Sequence, residues 1–339
     1  MLKFGIIGVG RRGIDHLEVL RNLDDVSVRA ICEIDKHRAL EVSRRYNLKG
    51  YSNIEDMLEK ESLDAVVIST PTPLHVSQAL QCIKAGTHIM LEKPISLDPI
   101  EVKKLLIAVR NCNQIIAVGF QSRNSSLAGT IKENIDYDTL SMLVGRYYWT
   151  IPIIQWIRQR SLAGGQIVDQ AIHLLDLFRF FAGEINRVYA EYTEKGRNTE
   201  EDKESKFDNW ASYTVALSFK GGAIGTLYST YSLYPEVFGS NSGSESLAYI
   251  DIISREMLIR HYIEREARIF RKNREPEVFR MSLDATIEMH RRFIEAIKQK
   301  DKKLILSHYE DAYKSMLVSL AANKSAKTGK PIDPNTLMQ

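Results

Sequence analysis

Three cysteines in 339 residues, Cys32, Cys82 and Cys112, are too few and too scattered for a disulfide framework, and they show no metal-ligand spacing. Each lies in or beside an apolar segment, where a thiol behaves as a small buried hydrophobe. No apolar run approaches the roughly 20 residues that span a bilayer. The chain enters a strand-like segment at residues 2–7 with no secretory hydrophobic stretch before it. These absences lead us to expect no membrane partner, no metal and a reducing, cytoplasmic location. Charge of one sign is also lacking. With 46 Lys and Arg against 43 Asp and Glu the net charge is +3, which gives no reason to expect a nucleic-acid partner. The short basic run Arg271, Lys272 and Arg274 is followed at once by Glu275 and Glu277, as on a solvated mixed-charge face. Internal repeats and low-complexity tracts are missing too.

What is present is a globular composition, 44% hydrophobic and 26% charged, in a chain long enough for two domains. Short continuous apolar runs at 2–7, 26–32, 65–69, 88–91 and 115–118 alternate with amphipathic stretches at 12–22, 36–46, 74–85 and 98–111. Such runs separated by helices predict a parallel sheet covered on both faces, a doubly wound nucleotide-binding domain. After residue 121 the pattern changes. A helical segment at 127–135 and a strand at 140–150 precede a helix at 166–181. Strand-like segments follow at 187–193, 211–219, 223–231 and 246–253, then helices at 286–300 and 307–327. Strands without helices between them predict an antiparallel sheet. The charged stretch 194–208 and the Gly/Ser-rich stretch 239–245 read as loops. The expected division is a first domain over 1–121 and a second over 122–339.

Gly8-Val9-Gly10-Arg11-Arg12-Gly13 matches G-x-G-x-x-G where a strand gives way to a helix, the context in which backbone approaches a pyrophosphate at a helix N-terminus. Glu33 follows 20 residues after Gly13, at the end of the second strand. A carboxylate there accepts hydrogen bonds from a ribose diol and repels a 2′-phosphate, which favours NAD over NADP. Asp35 adds a second negative charge, whereas Arg11, Lys36 and Arg38 offer a phosphate some compensation.

Two further segments carry polar chemistry. Glu92-Lys93-Pro94 comes directly after an apolar strand of the parallel sheet, and ligands bind outside the carboxyl ends of such strands. The helix at 166–181 is apolar on nearly all sides, yet Asp169, His173 and Asp176 recur at i, i+4 and i+7. A polar stripe on a buried helix is either paired internally or lines a cavity, and both readings stay open here. Gly164-Gly165 just before it permits close approach of another backbone or a ligand.

Together these segments resemble the Gfo/Idh/MocA family, named for glucose–fructose oxidoreductase, inositol dehydrogenase and a rhizopine-catabolism protein. The resemblance rests on the 8–13 fingerprint, Thr70-Pro71-Thr72-Pro73-Leu74-His75, Glu92-Lys93-Pro94, Gly164-Gly165 with Asp169 and His173, and an ending with Ser325 and Thr328-Gly329-Lys330-Pro331-Ile332. It implies a Rossmann domain joined to an α/β domain with a large, open, mainly antiparallel sheet, through which homodimers or homotetramers form. It also implies that Lys93, Asp169 and His173 act on the substrate. Thr70, Pro71, His75, Glu92 and Lys93 join Gly8, Val9, Gly10, Arg11, Arg12, Gly13 and Glu33 as cofactor contacts, with His75 near the nicotinamide or structural. Gln121, Arg123, Trp156 and Tyr231 are candidate substrate contacts for a hydroxylated ring.

Oxidation of a secondary alcohol needs a proton acceptor, and imidazole titrates near neutrality. An ammonium group stabilises a developing alkoxide. The expected activity is therefore NAD-dependent hydride transfer on a sugar, polyol or inositol-like substrate. An NAD-dependent glycosidase working through transient sugar oxidation uses the same residues, and a non-catalytic dinucleotide-binding regulator is the third class. His16 and His88 draw no functional expectation.

Overall fold

The computed structural model describes residues 1–234, 237 and 248–339, which fall into two compact units. The first comprises Met1–Asn124 and Asp284–Tyr313, the second Ser125–Leu283 and Lys314–Gln339.

In the first unit the chain alternates β1 (Leu2–Ile7), α1 (Arg11–Arg21), β2 (Val26–Cys32), α2 (Lys36–Tyr46), β3 (Lys49–Tyr51), α3 (Ile54–Glu61), β4 (Ala65–Ile68), α4 (His75–Lys84), β5 (His88–Leu91), α5 (Pro99–Arg110) and β6 (Ile116–Val118). The strands form one parallel sheet in the order β3-β2-β1-β4-β5-β6. All four residues of β4 are buried, as a strand covered on both faces requires. The sheet order reverses beside β1, and a crevice at such a point lies outside the carboxyl ends of the strands. The 8–13 loop follows β1, and the Thr70–Pro71 turn follows the neighbouring β4.

Helix boundaries follow local capping chemistry. Asp35 caps α2 on the amides of His37 and Arg38, Asn53 caps α3 on Asp56, and Asp98 caps α5 on Ile100. β3 and α3 were not anticipated, although Asn53 followed by Glu55 and Asp56 is an N-terminal helix signature. Cys32 and Cys82 are buried, and burial pushes their thiols up to about 11 and about 12, so both are packing groups.

The second unit contains α6 (Ser126–Asn134), β7 (Met142–Tyr148), α7 (Arg160–Ala163), α8 (Gln166–Asp169), α9 (Ile172–Ala182), β8 (Ile185–Thr193), α10 (Glu200–Glu204), β9 (Ser212–Phe219), β10 (Ile224–Thr230), β11 (Ala248–Ser254), β12 (Met257–Tyr262), β13 (Glu266–Arg271) and β14 (Glu277–Arg280). Its sheet runs β14-β13-β12-β11-β7-β10-β9-β8, antiparallel except for the β7–β10 pair. A parallel Rossmann sheet plus a large, mainly antiparallel sheet is the expected architecture. Residues 246 and 247 of the expected strand at 246–253, and the expected loop at 239–245, lie outside the described residues.

Two late helices, α11 (Ala285–Gln299) and α12 (Tyr309–Thr328), complete the chain. The division at residue 121 treats the domains as consecutive, whereas α11 returns to the first unit. Phe293 of α11 is fully buried and meets Phe4 of β1 edge-on at 6.1 Å. Emptying such a site costs about 3–5 kcal/mol, so this contact holds α11 in the first core. No helix among the described residues is long and apolar enough to cross a membrane.

Candidate active site and dinucleotide loop

The dinucleotide loop is built from close backbone approach. Gly8 has φ +85°, and a Cβ on it would lie 2.8 Å from Thr70 Cγ2. On Gly13 a Cβ would lie 2.0 Å from the Gly8 carbonyl oxygen, so only glycine lets α1 start there. Gly10 is different: it is the N-cap of α1, and nothing lies within 4 Å of where its Cβ would be. No side chain caps α1, and its first turn holds no acidic residue. The first amides of the helix thus face an anion without competition from the protein's own carboxylates.

Glu33 stands beside this loop. Its Oε2 accepts from the Val9 amide at 3.1 Å and its Oε1 from the Asp35 amide at 3.2 Å. The acidic group is therefore held against the glycine loop, where an adenosine ribose would be read. The cap of α2 by Asp35 adds a second carboxylate to this region. These residues fit an NAD pyrophosphate and ribose, and they disfavour a 2′-phosphate. Arg11 is exposed, while Arg12 turns away from the loop to Glu92 and Asp15.

The remaining first-unit candidates divide sharply. Thr70 donates its hydroxyl to Gln78 Oε1 at 2.6 Å, and Pro71 is exposed. His75 is buried with Nδ1 at 2.8 Å from the Pro94 carbonyl and Nε2 at 2.8 Å from the Thr70 carbonyl. Burial lowers its pKa, against the pull of those two carbonyls. It staples the Thr70 turn to the Pro94 turn. Glu92 is also buried. Burial works to raise its pKa, but Arg12 foremost, then His16 and Lys93, hold it well below the usual carboxylate range. Its Oε2 accepts the Lys93 amide at 3.0 Å, so its carboxylate is committed to the protein. Lys93 itself is half-buried just beyond β5. Arg123 is 4% exposed and binds the Leu306 carbonyl at 2.9 Å and Asp311 Oδ2 at 2.5 Å. That ion pair joins its turn to the 306–311 segment. Gln121 opens the same turn.

In the second unit the expected continuous helix at 166–181 is interrupted. α8 ends at Asp169 and α9 starts at Ile172, with the Gln170 and Ala171 amides both reaching the Gln166 carbonyl at 2.9 and 2.8 Å. Asp169 and His173 therefore stand on separate helices and are not one turn apart on a single face. Asp176, third in the expected stripe, is a core residue: it accepts from the Ser315 hydroxyl at 2.6 Å, and Arg179 donates to the same hydroxyl at 2.7 Å. The paired glycines serve packing, since a Cβ on Gly165 (φ +83°) would lie 2.9 Å from the Tyr213 hydroxyl and 3.1 Å from Trp210.

Asp169 is 5% exposed, among phenols. Burial foremost, and the charge of Asp169 second, push Tyr147 and Tyr231 upward. Tyr213 is raised chiefly by burial and also feels Asp169. All three are neutral hydroxyls that donate at any physiological pH. The Tyr231 hydroxyl is fully buried with no hydrogen-bond partner among the described residues. Trp156 lies half-buried on a single turn, Gln155–Arg158. Among the described residues no cluster of His, Cys, Asp and Glu could hold a metal ion. Sequence reasoning passed over Tyr147, Tyr213, His16 and His290. An alternating strand pattern could have pointed to the tyrosines; no local signal marks the histidine pair.

Comparison with known proteins decides the family. An oxidoreductase family model with an NAD-binding Rossmann fold matches residues 2–120, and the GFO/IDH/MocA C-terminal domain matches residues 138–242. The chain belongs to the Gfo/Idh/MocA oxidoreductase family. As a member it is an NAD-binding oxidoreductase of the dehydrogenase class. It is 28% identical to a myo-inositol 2-dehydrogenase from Thermotoga maritima over 251 residues, 70% of this chain and 73% of that protein. Among solved structures it superposes on a putative NADPH-dependent oxidoreductase from Desulfitobacterium hafniense with a TM-score of 0.86, at 18% identity, covering 100% of this chain and 99% of the other. The WlbA dehydrogenase from Bordetella pertussis, in complex with NADH and UDP-GlcNAcA, gives a TM-score of 0.81 at 21% identity over 98% of each chain. At these identities the structural likenesses establish the fold alone.

Proposed function

We propose that this family member transfers hydride between NAD and a secondary alcohol of a sugar, polyol or inositol-like substrate, with Lys93, Asp169 and His173 acting on that substrate. The observation that carries the polyol reading is the setting of Asp169, one carboxylate whose charge is felt by the half-buried Tyr147 and the buried Tyr213 and Tyr231. A hydroxylated ring offers several donors and acceptors to such a set, and the Tyr231 hydroxyl has none from the described protein. The activities of relatives, such as the myo-inositol 2-dehydrogenase of Thermotoga maritima, support the same class.

Residues of the 8–13 loop and Glu33 hold the dinucleotide, which when bound supplies the redox chemistry. The Lys93 ammonium donates to the reacting oxygen and stabilises alkoxide charge. The His173 imidazole takes or returns the hydroxyl proton, and Asp169 orients the reacting group. Groups of this kind contribute about 10² to 10⁴ in rate. We further propose that a homo-oligomer covers the second-unit sheet, whose arginines and tyrosines pair as Arg146 over Tyr249 at 4.4 Å and Arg260 over Tyr249 at 5.2 Å. Light scattering after size exclusion checks that expectation.

Replacing Lys93 by Met tests the catalytic assignment: turnover is lost while NADH binding stays within a few-fold. Full turnover in that variant overturns the role of Lys93. A wild-type protein that retains NAD through purification and cleaves glycosides favours the glycosidase reading instead.

A further inference from the structure

One buried polar chain of the first unit has no part in the chemistry above. Glu92 divides its carboxylate between two elements. Oε1 accepts from Arg12 Nε at 3.2 Å, Arg12 Nη2 at 2.9 Å and His16 Nε2 at 2.9 Å, all on α1. Oε2 accepts the main-chain amide of Lys93 at 3.0 Å. Behind His16, its Nδ1 lies 2.8 Å from Nε2 of His290 on α11. Both histidines are fully buried.

One hydrogen on this chain is fixed by what its partner can do. An ionised carboxylate only accepts, so His16 Nε2 carries a hydrogen. Its Nδ1 shares one hydrogen bond with His290 Nε2, in which the donor is set by the tautomers of the two rings. Burial first, then His16 and Arg12, hold His290 neutral, and its Nδ1 has no partner among the described residues. The chain therefore runs without a break from His290 through His16 to Glu92. Room for the carboxylate is set by backbone: a Cβ on Gly119 would lie 3.1 Å from its carboxyl carbon.

We propose that Arg12, His16 and His290 are positioning residues that act through Glu92, locking the main chain of Lys93 to the helix that opens the dinucleotide loop. Seating of the dinucleotide at the N-terminus of α1 and placement of the Lys93 ammonium are then one event. One carboxylate accepts three hydrogen bonds from α1 on Oε1 and the Lys93 amide on Oε2, so a shift of α1 passes directly to residue 93. The inference rests on the reading of Lys93 as a group that acts on substrate.

The test uses reductively ¹³C-methylated protein, with the Lys93 resonance identified by its loss in Lys93→Arg. Wild type, His16→Gln, Arg12→Lys and Gly119→Ala are compared for the change in that resonance on adding NADH, for NADH affinity by fluorescence and for thermal midpoint. In wild type the resonance moves with NADH. In the variants that retain a folded midpoint the movement is lost and NADH binds about tenfold more weakly, with kcat lowered about 10- to 100-fold at saturating substrate. Gly119→Ala perturbs Glu92 without removing a polar group and decides the matter if His16→Gln fails to fold. A Lys93 resonance that responds to NADH as in wild type, in folded Arg12→Lys and Gly119→Ala proteins, overturns the proposal. Failure of the Lys93 assignment reads differently, as turnover surviving in Lys93→Met while the wild-type Lys93 resonance still moves with NADH.

Discussion

Exchanging Gly10 and Gly13 separately for alanine should separate cofactor binding from stability. At Gly13 the added Cβ falls 2.0 Å from the Gly8 carbonyl oxygen and 2.8 Å from Ser69 Oγ. Real Cβ atoms essentially never approach another heavy atom under 3.0 Å, and a backbone carbonyl cannot swing aside as a flexible side chain does. Either α1 or the end of β1 must move by about an ångström, an overpacking cost of about 1–3 kcal/mol. For a unit of this size that lowers the thermal midpoint by about 2–12 °C. At Gly10 the same methyl meets nothing within 4 Å, and φ of −65° with ψ of −170° suits any residue. Its folding cost is only the loss of a tolerable N-cap, within about 1 kcal/mol. What it blocks is approach of a phosphate to the loop. Gly10→Ala should therefore bind NADH at least tenfold more weakly by fluorescence titration with a midpoint near wild type, while Gly13→Ala loses stability as well. Tight NADH binding by Gly10→Ala, or a wild-type midpoint for Gly13→Ala, would refute the reasoning.

Glu33→Ala should raise the NADPH affinity relative to NADH by about tenfold, read as a ratio of Kd values, because it removes the carboxylate held against Val9. His261 is fully buried with neither ring nitrogen partnered among the described residues, and burial drops its pKa to about 3. A depressed histidine stays neutral when folded but protonates when unfolded below about pH 6.5, so stability falls as pH falls. Between pH 7 and pH 5 this one group accounts for about 2 kcal/mol, and His261→Leu should flatten the urea-denaturation midpoint over that range by that amount. Asp202 pairs with Arg197 at 2.9 Å with both side chains buried, so Asp202→Asn should cost about 3–5 kcal/mol by leaving a buried guanidinium uncompensated, measured as a lowered midpoint.

Features written in contiguous residues were legible before the structure. The parallel strands are short apolar runs, and the 8–13 loop with Glu33 declares its geometry through spacing alone. What escaped detection depends on partners far along the chain. His16 looked like an ordinary first-helix residue because His290, 274 positions away, completes its network. The pairing of Arg123 with Asp311, 188 positions on, left no local mark either. The strands β12, β13 and β14 were missed because their outward positions carry Arg260, Arg268 and Arg280, so that alternation reads as a charged surface. The break between α8 and α9 has no proline or glycine to announce it; Gln170 and Ala171 yield to tertiary packing.

The central claim, NAD-dependent oxidation of a secondary alcohol, is tested most directly by following nicotinamide absorbance in the near ultraviolet while the protein and NAD meet a panel of sugars, inositols and sugar acids. The account predicts reduction of NAD with at least one hydroxylated class, weaker with NADP, and abolished in Lys93→Met. No absorbance change across the panel, in protein shown to bind NADH and to carry no retained nucleotide, would contradict it.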